Sequence, residues 1–190
     1  MFAIIDIETT GGQAFENSIT EIAIVLHNGV EMEGKYETLV NPLMPIQKYV
    51  QSLTGITDAM VAQAPLFKSI APNVFNLLKD RVFVAHNVSF DYSYVKHQLQ
   101  RAGFILDVPK VCTINLAKKI FPGLPKYGLE SISKEFNLNH NDKHRAAGDA
   151  LVTAELFEIL VKNDKNGELQ KMINHRAVEK KPRPKLFVKK

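Results

Sequence analysis

The feature that most constrains this chain is a pair of acidic residues, Asp6 and Glu8, inside an otherwise apolar run near its start. Alternate side chains of a β-strand point to opposite faces, so the two acids share one face while Ile5 and Ile7 take the other. Neighbouring carboxylates near a core repel each other unless a proton, a basic group or a cation lies between them. A divalent metal ion is the simplest solution. The alternative is an exposed edge strand on which both acids contact only water.

Composition favours one globular domain. The chain has 190 residues, of which 45% are hydrophobic and 23% charged, and no apolar run is long enough to cross a bilayer. Asp6 and Glu8 lie where a signal peptide needs a basic start and an apolar stretch. The single cysteine, Cys112, can form neither an internal disulfide nor a zinc site alone. We therefore expect a cytoplasmic protein.

The basic character of the chain is confined to its end. The formal net charge is +4, yet residues 175–190 hold seven basic residues against one acidic residue, which gives +6. The first 174 residues, with 17 basic and 19 acidic residues, carry −2. The body therefore has no general polyanion-binding charge, and any attraction of an anionic substrate must be local, for example through metal ions.

Apolar periodicity predicts an α/β domain. The opening strand is followed by strands at 19–26 and 30–40, joined by the two-residue hairpin signal Asn28-Gly29, and these three strands form an antiparallel meander with a half-exposed third arm. Two further strands are predicted at 81–85 and 108–111. Residues 42–79 are predicted to be helical in short pieces, of which 69–78 lies in the best-defined one, and further helices are predicted at 88–102, 114–120, 129–136 and 145–161. Beyond residue 162 the apolar periodicity fades.

Further acids and histidines follow the later elements. Asp91 enters in the first turn of a helix just after a strand, and His86 precedes it by five residues. Asp149 lies near the start of the long late helix beside Gly148, whose missing side chain indicates close packing or a nearby substrate. His144 is five residues before Asp149, about 140° of helical rotation away, so it belongs to the loop before that helix. Singly, each has a structural explanation: the acids complement helix dipoles, His86 is a core residue and His144 a surface residue.

Taken in order, these residues resemble the DEDD exonucleases of the ribonuclease H-like fold, in the subgroup whose catalytic base is the histidine of an H-x-x-x-x-D motif. The subgroup includes the proofreading subunits of bacterial replicative DNA polymerases. The first motif matches at residues 6–11, the second at 86–91 and the third at 144–149, and Thr20–Ala23 and Thr54–Thr57 extend the match. The resemblance covers about residues 1–162, and three motifs in the right order are far more specific than any one.

The resemblance implies a mixed five-stranded sheet, with its first three strands antiparallel and the others parallel, flanked by helices. It implies that Asp6, Glu8, Asp91 and Asp149 bind two Mg²⁺ or Mn²⁺ ions and that His144 is the general base. Hard divalent cations prefer such oxygen ligands, and the unperturbed pKa of histidine, about 6.5, suits proton transfer near neutral pH. Residues 1–162 form the expected exonuclease domain and residues 163–190 a basic tail or linker.

The same resemblance assigns substrate contacts at the 3′ end. These residues are Thr9, Thr10, Gly11, Asn87 and Phe90. The alternative for residues 9–11 is an ordinary turn from strand to loop. For Asn87 the alternative is a side chain that braces the loop, and for Phe90 a core side chain. Glu21 is assigned to structure, with support of the metal site as the alternative. Cys112 stands where many relatives have an acid, so we expect no metal contact from it.

The expected activity is 3′→5′ hydrolysis of DNA from free 3′ ends to nucleoside 5′-monophosphates, in proofreading or repair. The alternatives are an exoribonuclease or oligoribonuclease with the same chemistry, and a non-catalytic nucleic-acid or replisome binding module on the same fold. For the basic tail the alternatives are non-specific DNA binding, contact with a DNA polymerase or other partner, and linkage to a further domain.

Overall fold

A mixed five-stranded sheet forms the centre of the computed structural model, which describes residues 1–179. Its strands run in the spatial order β3-β2-β1-β4-β5, and β1 pairs antiparallel with β2, β2 antiparallel with β3, and β4 parallel with both β1 and β5. The strands are β1 Phe2–Thr9, β2 Ile19–His27, β3 Met32–Leu39, β4 Val82–Ala85 and β5 Lys110–Cys112. The predicted fold class is therefore confirmed, and the strand that carries Asp6 and Glu8 is the central one.

Eight helices in the described part of the chain cover the sheet. They are α1 Lys48–Thr54, α2 Asp58–Val61, α3 Phe67–Leu78, α4 Val88–Arg101, α5 Thr113–Ile120, α6 Leu129–Glu135, α7 Ala146–Asn163 and α8 Glu168–Glu179. None of these helices is long and apolar enough to span a membrane.

The sheet separates the two larger clusters of the core, and this division positions the site; a third, small cluster lies around α1 and α2. On the first face, Ile5 and Ile7 pack with side chains of α3 and α4. On the second face, Ile4 packs with side chains of α5, α6 and α7. Asp6 and Glu8 have the same parity as Ile4, so they point toward the face that α7 covers.

The structure differs from the sequence prediction at two places. The β2–β3 turn spans residues 28–31 rather than two residues, because the Asn28 side chain accepts hydrogen bonds from the amides of Val30 (2.8 Å) and Glu31 (3.0 Å) and thereby forms a wider turn. The helix α8 was not predicted, and its residues Leu169, Met172 and Ile173 pack against the second cluster. The division of the chain at residue 162 stays a prediction, and the basic segment 180–190 lies outside the described residues.

Candidate active site

Three of the predicted acids meet on the second face of the sheet. Asp6 and Glu8 project from β1, and Asp149 projects from the first turn of α7, which lies across that face. One carboxylate oxygen from each of the three lies within 4.8 Å of the others. This spacing allows one cation to contact all three side chains.

Asp91 joins the cluster from α4, where it is buried with 3% of its surface exposed. The backbone of Asp91 itself and that of Ile7 partly offset the rise in its pKa. The negative charge of Asp91 raises the pKa of both Asp6 and Glu8, so Asp91 belongs to the same electrostatic cluster. The structure thus brings together the four carboxylates that the sequence singled out.

Burial and mutual repulsion of the carboxylates in this cluster favour the binding of a cation. Burial raises the pKa of Asp6 well above its ordinary range, and the charges of the other acids add to the effect. Burial, followed by the charge of Asp149, raises the pKa of Glu8 to about 8. Burial likewise raises the pKa of Asp91 to about 8, in spite of the opposing effect of the backbone. Because these causes disfavour the charged carboxylates, the four residues fit a hard divalent cation such as Mg²⁺ or Mn²⁺.

An ion pair between the buried Glu21 and the partly exposed Arg145 fixes the helix that carries Asp149. Glu21 on β2 is 5% exposed and accepts two hydrogen bonds from the Arg145 guanidinium, at 2.6 and 3.1 Å. It also accepts one from the backbone amide of Ala146 at 2.8 Å, which is the first residue of α7. Glu21 therefore anchors the start of this helix to the sheet, as its assignment to structure implies, and Arg145 is its previously unidentified partner.

Gly148 allows a second close contact around Asp149. A Cβ atom at this position would overlap the backbone carbonyl of Asp142 in the preceding loop. Of the two explanations open at the sequence level, close packing is the one that this structure supports. The glycine lets the loop before α7 fold directly over the first turn of the helix.

The two histidines of that loop differ in their surroundings. His144 lies outside α7, as predicted, and is exposed, with its backbone in the left-handed region at φ 59°. His140, four residues earlier, is 8% exposed in its side chain, and its Nε2 lies 2.5 Å from Oδ1 of Asp149. Sequence reasoning missed His140, since no motif spacing marks a histidine nine residues before the acid.

His86 is held away from solvent beside the cluster. Its Nδ1 lies 2.8 Å from Oγ1 of Thr113 at the start of α5. Burial lowers the pKa of His86 to about 4, so the ring is neutral at pH 7. This environment agrees with the structural explanation for His86. Cys112, half-buried on β5, is not among the residues grouped at the acidic cluster in the described chain.

The loop after β1 uses its hydroxyl groups internally. Thr9 donates to the carbonyl of Gly11 at 2.8 Å, and Thr10 donates to the side chain of Asn17 at 3.1 Å. Tyr94, which is buried, donates its hydroxyl to the same Gly11 carbonyl at 2.6 Å. Substrate contact by Thr9, Thr10 and Gly11 stays a prediction, and the bonds show that these residues also shape a fixed loop beside Asp6 and Glu8.

Asn87 and Phe90 lie at the turn from β4 into α4. Asn87 is exposed and adopts φ 75°, a left-handed conformation that asparagine tolerates better than most residues. Phe90 is 37% exposed, and its ring centroid lies 5.0 Å from that of Tyr94. Both side chains are accessible one helical turn or less from Asp91, although their contact with a nucleotide stays a prediction.

Comparison with known proteins places this site in a family. The RNase_T family model, described as exonuclease, matches residues 3–157. The chain is 36% identical over 157 residues to DNA polymerase III subunit epsilon of Aquifex aeolicus, a match that covers 82% of this chain and 78% of that protein. It is 39% identical over 164 residues to the 3′-5′ exonuclease DinG of Bacillus subtilis, which is 85% of this chain but 18% of that protein. The chain thus spans less than a fifth of the length of this second relative.

Solved structures show the same fold. Exonuclease X, in complex with 5′ overhanging duplex DNA, superposes with a TM-score of 0.74 at 30% identity. The superposition covers 92% of this chain and 98% of exonuclease X. The nuclease domain of 3′hExo, a DEDDh family member bound to rAMP, has a TM-score of 0.72 at 18% identity, which shows the fold alone, over 85% of this chain and 91% of that one. The chain therefore belongs to the RNase_T exonuclease family and carries a 3′→5′ exonuclease domain.

Proposed function

We propose that this domain hydrolyses DNA from free 3′ ends and releases nucleoside 5′-monophosphates, with two Mg²⁺ or Mn²⁺ ions as cofactors. The observation that carries the proposal is the convergence of Asp6, Glu8, Asp91 and Asp149 from three separate elements, with pKa values of the first three raised by burial and mutual repulsion. A purely structural cluster would keep basic partners among its acids. In the described part of the chain, Arg145 is the basic side chain that lowers the pKa of Glu8, and it is itself bound to Glu21. His140 contacts Asp149 alone among the four acids.

The four carboxylates hold the cations, which when bound supply Lewis-acid stabilisation at the attacked phosphate. His144 is the general base in this proposal, and it accepts a proton from the attacking water. The water oxygen forms the new bond to phosphorus while the bond to the 3′ oxygen breaks. The shortened strand keeps a 3′-hydroxyl, and the departing nucleotide carries the 5′-phosphate.

Three features of His144 support its role. It is exposed, so its ring can reach a water molecule and a substrate phosphate. It lies on the loop that folds over the first turn of α7, close in sequence to Asp149. Its backbone is left-handed, a conformation that is uncommon for residues other than glycine and that is often retained at functional positions.

The terminal nucleotide would lie between the loop after β1 and the start of α4. Phe90 offers an exposed aromatic face for the terminal base, and the Asn87 side chain is free to hydrogen-bond to it. Gly11, whose carbonyl accepts a hydrogen bond from Tyr94, would contact the same nucleotide from the loop after β1. Contacts with the terminal nucleotide would favour a free 3′ end over an internal phosphate.

DNA is the proposed substrate because proteins whose names refer to DNA resemble this chain over most of its length. Exonuclease X was solved on duplex DNA, and the Aquifex relative is named as a subunit of a DNA polymerase. Proofreading or repair is the corresponding role, and a DNA polymerase is the proposed partner. The basic residues of the segment 180–190 are the proposed site for that partner, for DNA or for a linked domain.

The test is digestion of end-labelled substrates by the full chain. A 3′-recessed DNA, a DNA with a mismatched 3′ end and an RNA of the same sequence are incubated with Mg²⁺, with chelator, and with the variant Asp6→Asn. The control variant Glu31→Gln removes an exposed acid in the β2–β3 turn. We expect digestion of DNA that requires both the cation and Asp6 and is unchanged in the control. Activity that survives the chelator or Asp6→Asn would refute the two-metal assignment. Faster digestion of RNA than of DNA would identify RNA as the preferred substrate.

The segment 180–190 is tested by its deletion, which leaves α8 intact. If it binds DNA, the deletion lowers DNA affinity at low salt and reduces the dependence of affinity on salt concentration. An unchanged affinity and salt dependence would exclude DNA binding by this segment and favour the partner or linker roles.

A further inference from the structure

A buried histidine contacts the acidic cluster from outside the sequence motifs. The His140 side chain is 8% exposed, and its Nε2 lies 2.5 Å from Oδ1 of Asp149, whose own side chain is 14% exposed. Among the described residues, His140 makes the only hydrogen bond to this carboxylate. The orientation of Asp149 therefore depends on a residue that plays no part in the motifs.

The chemistry of the contact favours a positioning role. A ring N–H at Nε2 donates to one carboxylate oxygen and leaves the second oxygen available. Oxygens of Asp149, Asp6 and Glu8 lie within 4.8 Å of one another, so the rotation of the Asp149 carboxylate decides whether the three can share a cation. Hydrogen bonds from a second residue to a ligating side chain orient it and commonly change metal affinity by 10–100-fold.

Burial of His140 is unfavourable for packing alone. Its Nδ1 is buried without a hydrogen-bond partner in the described structure, and the same holds for Nε2 of His86. A buried polar atom without a partner costs about 1–3 kcal/mol, so an apolar side chain would fill this space at lower cost. The two rings are close enough for His140 to lower the pKa of His86. The hydrogen bond from His140 to Asp149 is the interaction that offsets this cost.

We propose that His140 is a positioning residue of the metal site, which fixes the Asp149 carboxylate so that its free oxygen stays turned toward Asp6 and Glu8. This inference rests on the proposed metal-dependent function. It separates the two histidines of the loop, because the buried His140 orients a ligand while the exposed His144 remains free for proton transfer. His140 itself contacts neither the cation nor the substrate.

The test compares His140→Gln, His140→Asn and His140→Ala in the full chain. Glutamine places its amide nitrogen near the position of Nε2 and can still donate to Asp149, whereas the shorter asparagine cannot reach it. Asn139→Ala, at the exposed neighbouring position, is the control for the loop. Mn²⁺ binding is measured by electron paramagnetic resonance without substrate, and DNA digestion is measured over a range of Mn²⁺ concentrations.

We expect His140→Ala and His140→Asn to weaken Mn²⁺ binding 10–100-fold, with activity partly recovered at high Mn²⁺. His140→Gln should stay within a few-fold of the wild type, and Asn139→Ala should not differ from it. If the alanine variant does not fold, the glutamine and asparagine variants decide the matter. Equal Mn²⁺ affinity in those two variants, or in His140→Ala and the wild type, would overturn the role of His140. A wild type that binds no Mn²⁺ and digests no DNA would instead overturn the proposed function.

Discussion

Replacement of Glu8 by glutamine should stabilise the metal-free protein at alkaline pH while it abolishes catalysis. The pKa of Glu8 is about 8 in the folded protein, against an ordinary value of 4.5, chiefly because of burial and then of the charges of Asp149, Glu21 and Asp91. The folded state therefore holds the Glu8 proton more tightly than the unfolded chain does. The stability that this proton contributes is complete below about pH 4.5 and is lost as the pH rises through 8.

The magnitude follows from the difference between the two pKa values. A difference of 3.5, at about 1.4 kcal/mol for each unit, gives an upper bound of about 5 kcal/mol. The neighbouring carboxylates titrate together, and protonation of one relieves the others, so the gain on substitution is smaller. We expect Glu8→Gln to raise the free energy of unfolding by roughly 2 kcal/mol at pH 8.

The assay is urea unfolding in the presence of a chelator at pH 5 and pH 8, with Glu31→Gln as the exposed control. At pH 5 the wild-type Glu8 is protonated and resembles glutamine, so the two proteins should differ little. A gain at pH 8 that is absent at pH 5 supports the reasoning. An equal change in the free energy of unfolding at both pH values, or no increase at pH 8, would refute the view that the metal-free cluster is destabilised by mutual repulsion of its carboxylates.

Three further results are expected. Glu21→Gln weakens the contact that anchors α7 to the sheet, and because the Arg145 side chain is 42% exposed, water replaces part of the lost interaction. Urea unfolding should show that the free energy of unfolding falls by about 1–2 kcal/mol. An unchanged free energy of unfolding would contradict the anchoring role. Tyr94→Phe leaves the Gly11 carbonyl without its 2.6 Å hydrogen bond, so the KM for DNA should rise while Mn²⁺ affinity stays constant; a fall in Mn²⁺ affinity would show that the bond supports the metal site instead. Mg²⁺ at 100 times its Kd should stabilise the wild type at pH 8 by about 2.7 kcal/mol, measured as a rise in Tm, and an unchanged Tm would argue against a metal at the cluster.

The parts of the site that sequence predicted are those set by local periodicity. The two-residue repeat of β1 places Asp6 and Glu8 on one face whatever surrounds them. The change from a strand to a helix places Asp91 in a first turn, and the helical pattern places Asp149 near the start of α7. The order of the motifs then supplied the family, and with it the sheet topology.

What sequence did not predict depends on contacts between distant residues or on loop conformation. Glu21 and Arg145 are 124 positions apart, and neither residue indicates the other. His140 lies in a loop without a repeating pattern, so nothing in the sequence shows that its ring turns inward. In helix α8 the apolar residues are outnumbered by charged and polar ones, so its apolar periodicity is too weak to be recognised in the sequence.

The assembly of the site from Asp6 and Asp149 has a consequence for synthesis of the chain. Asp149 on α7 follows Asp6 by more than 140 residues in the chain. At a typical rate of about 5–20 residues per second, several seconds separate the two, so the nascent chain carries β1 without a competent nuclease centre. A chain released before α7 is made therefore lacks Asp149, and the acidic cluster is complete only after α7 has been synthesised.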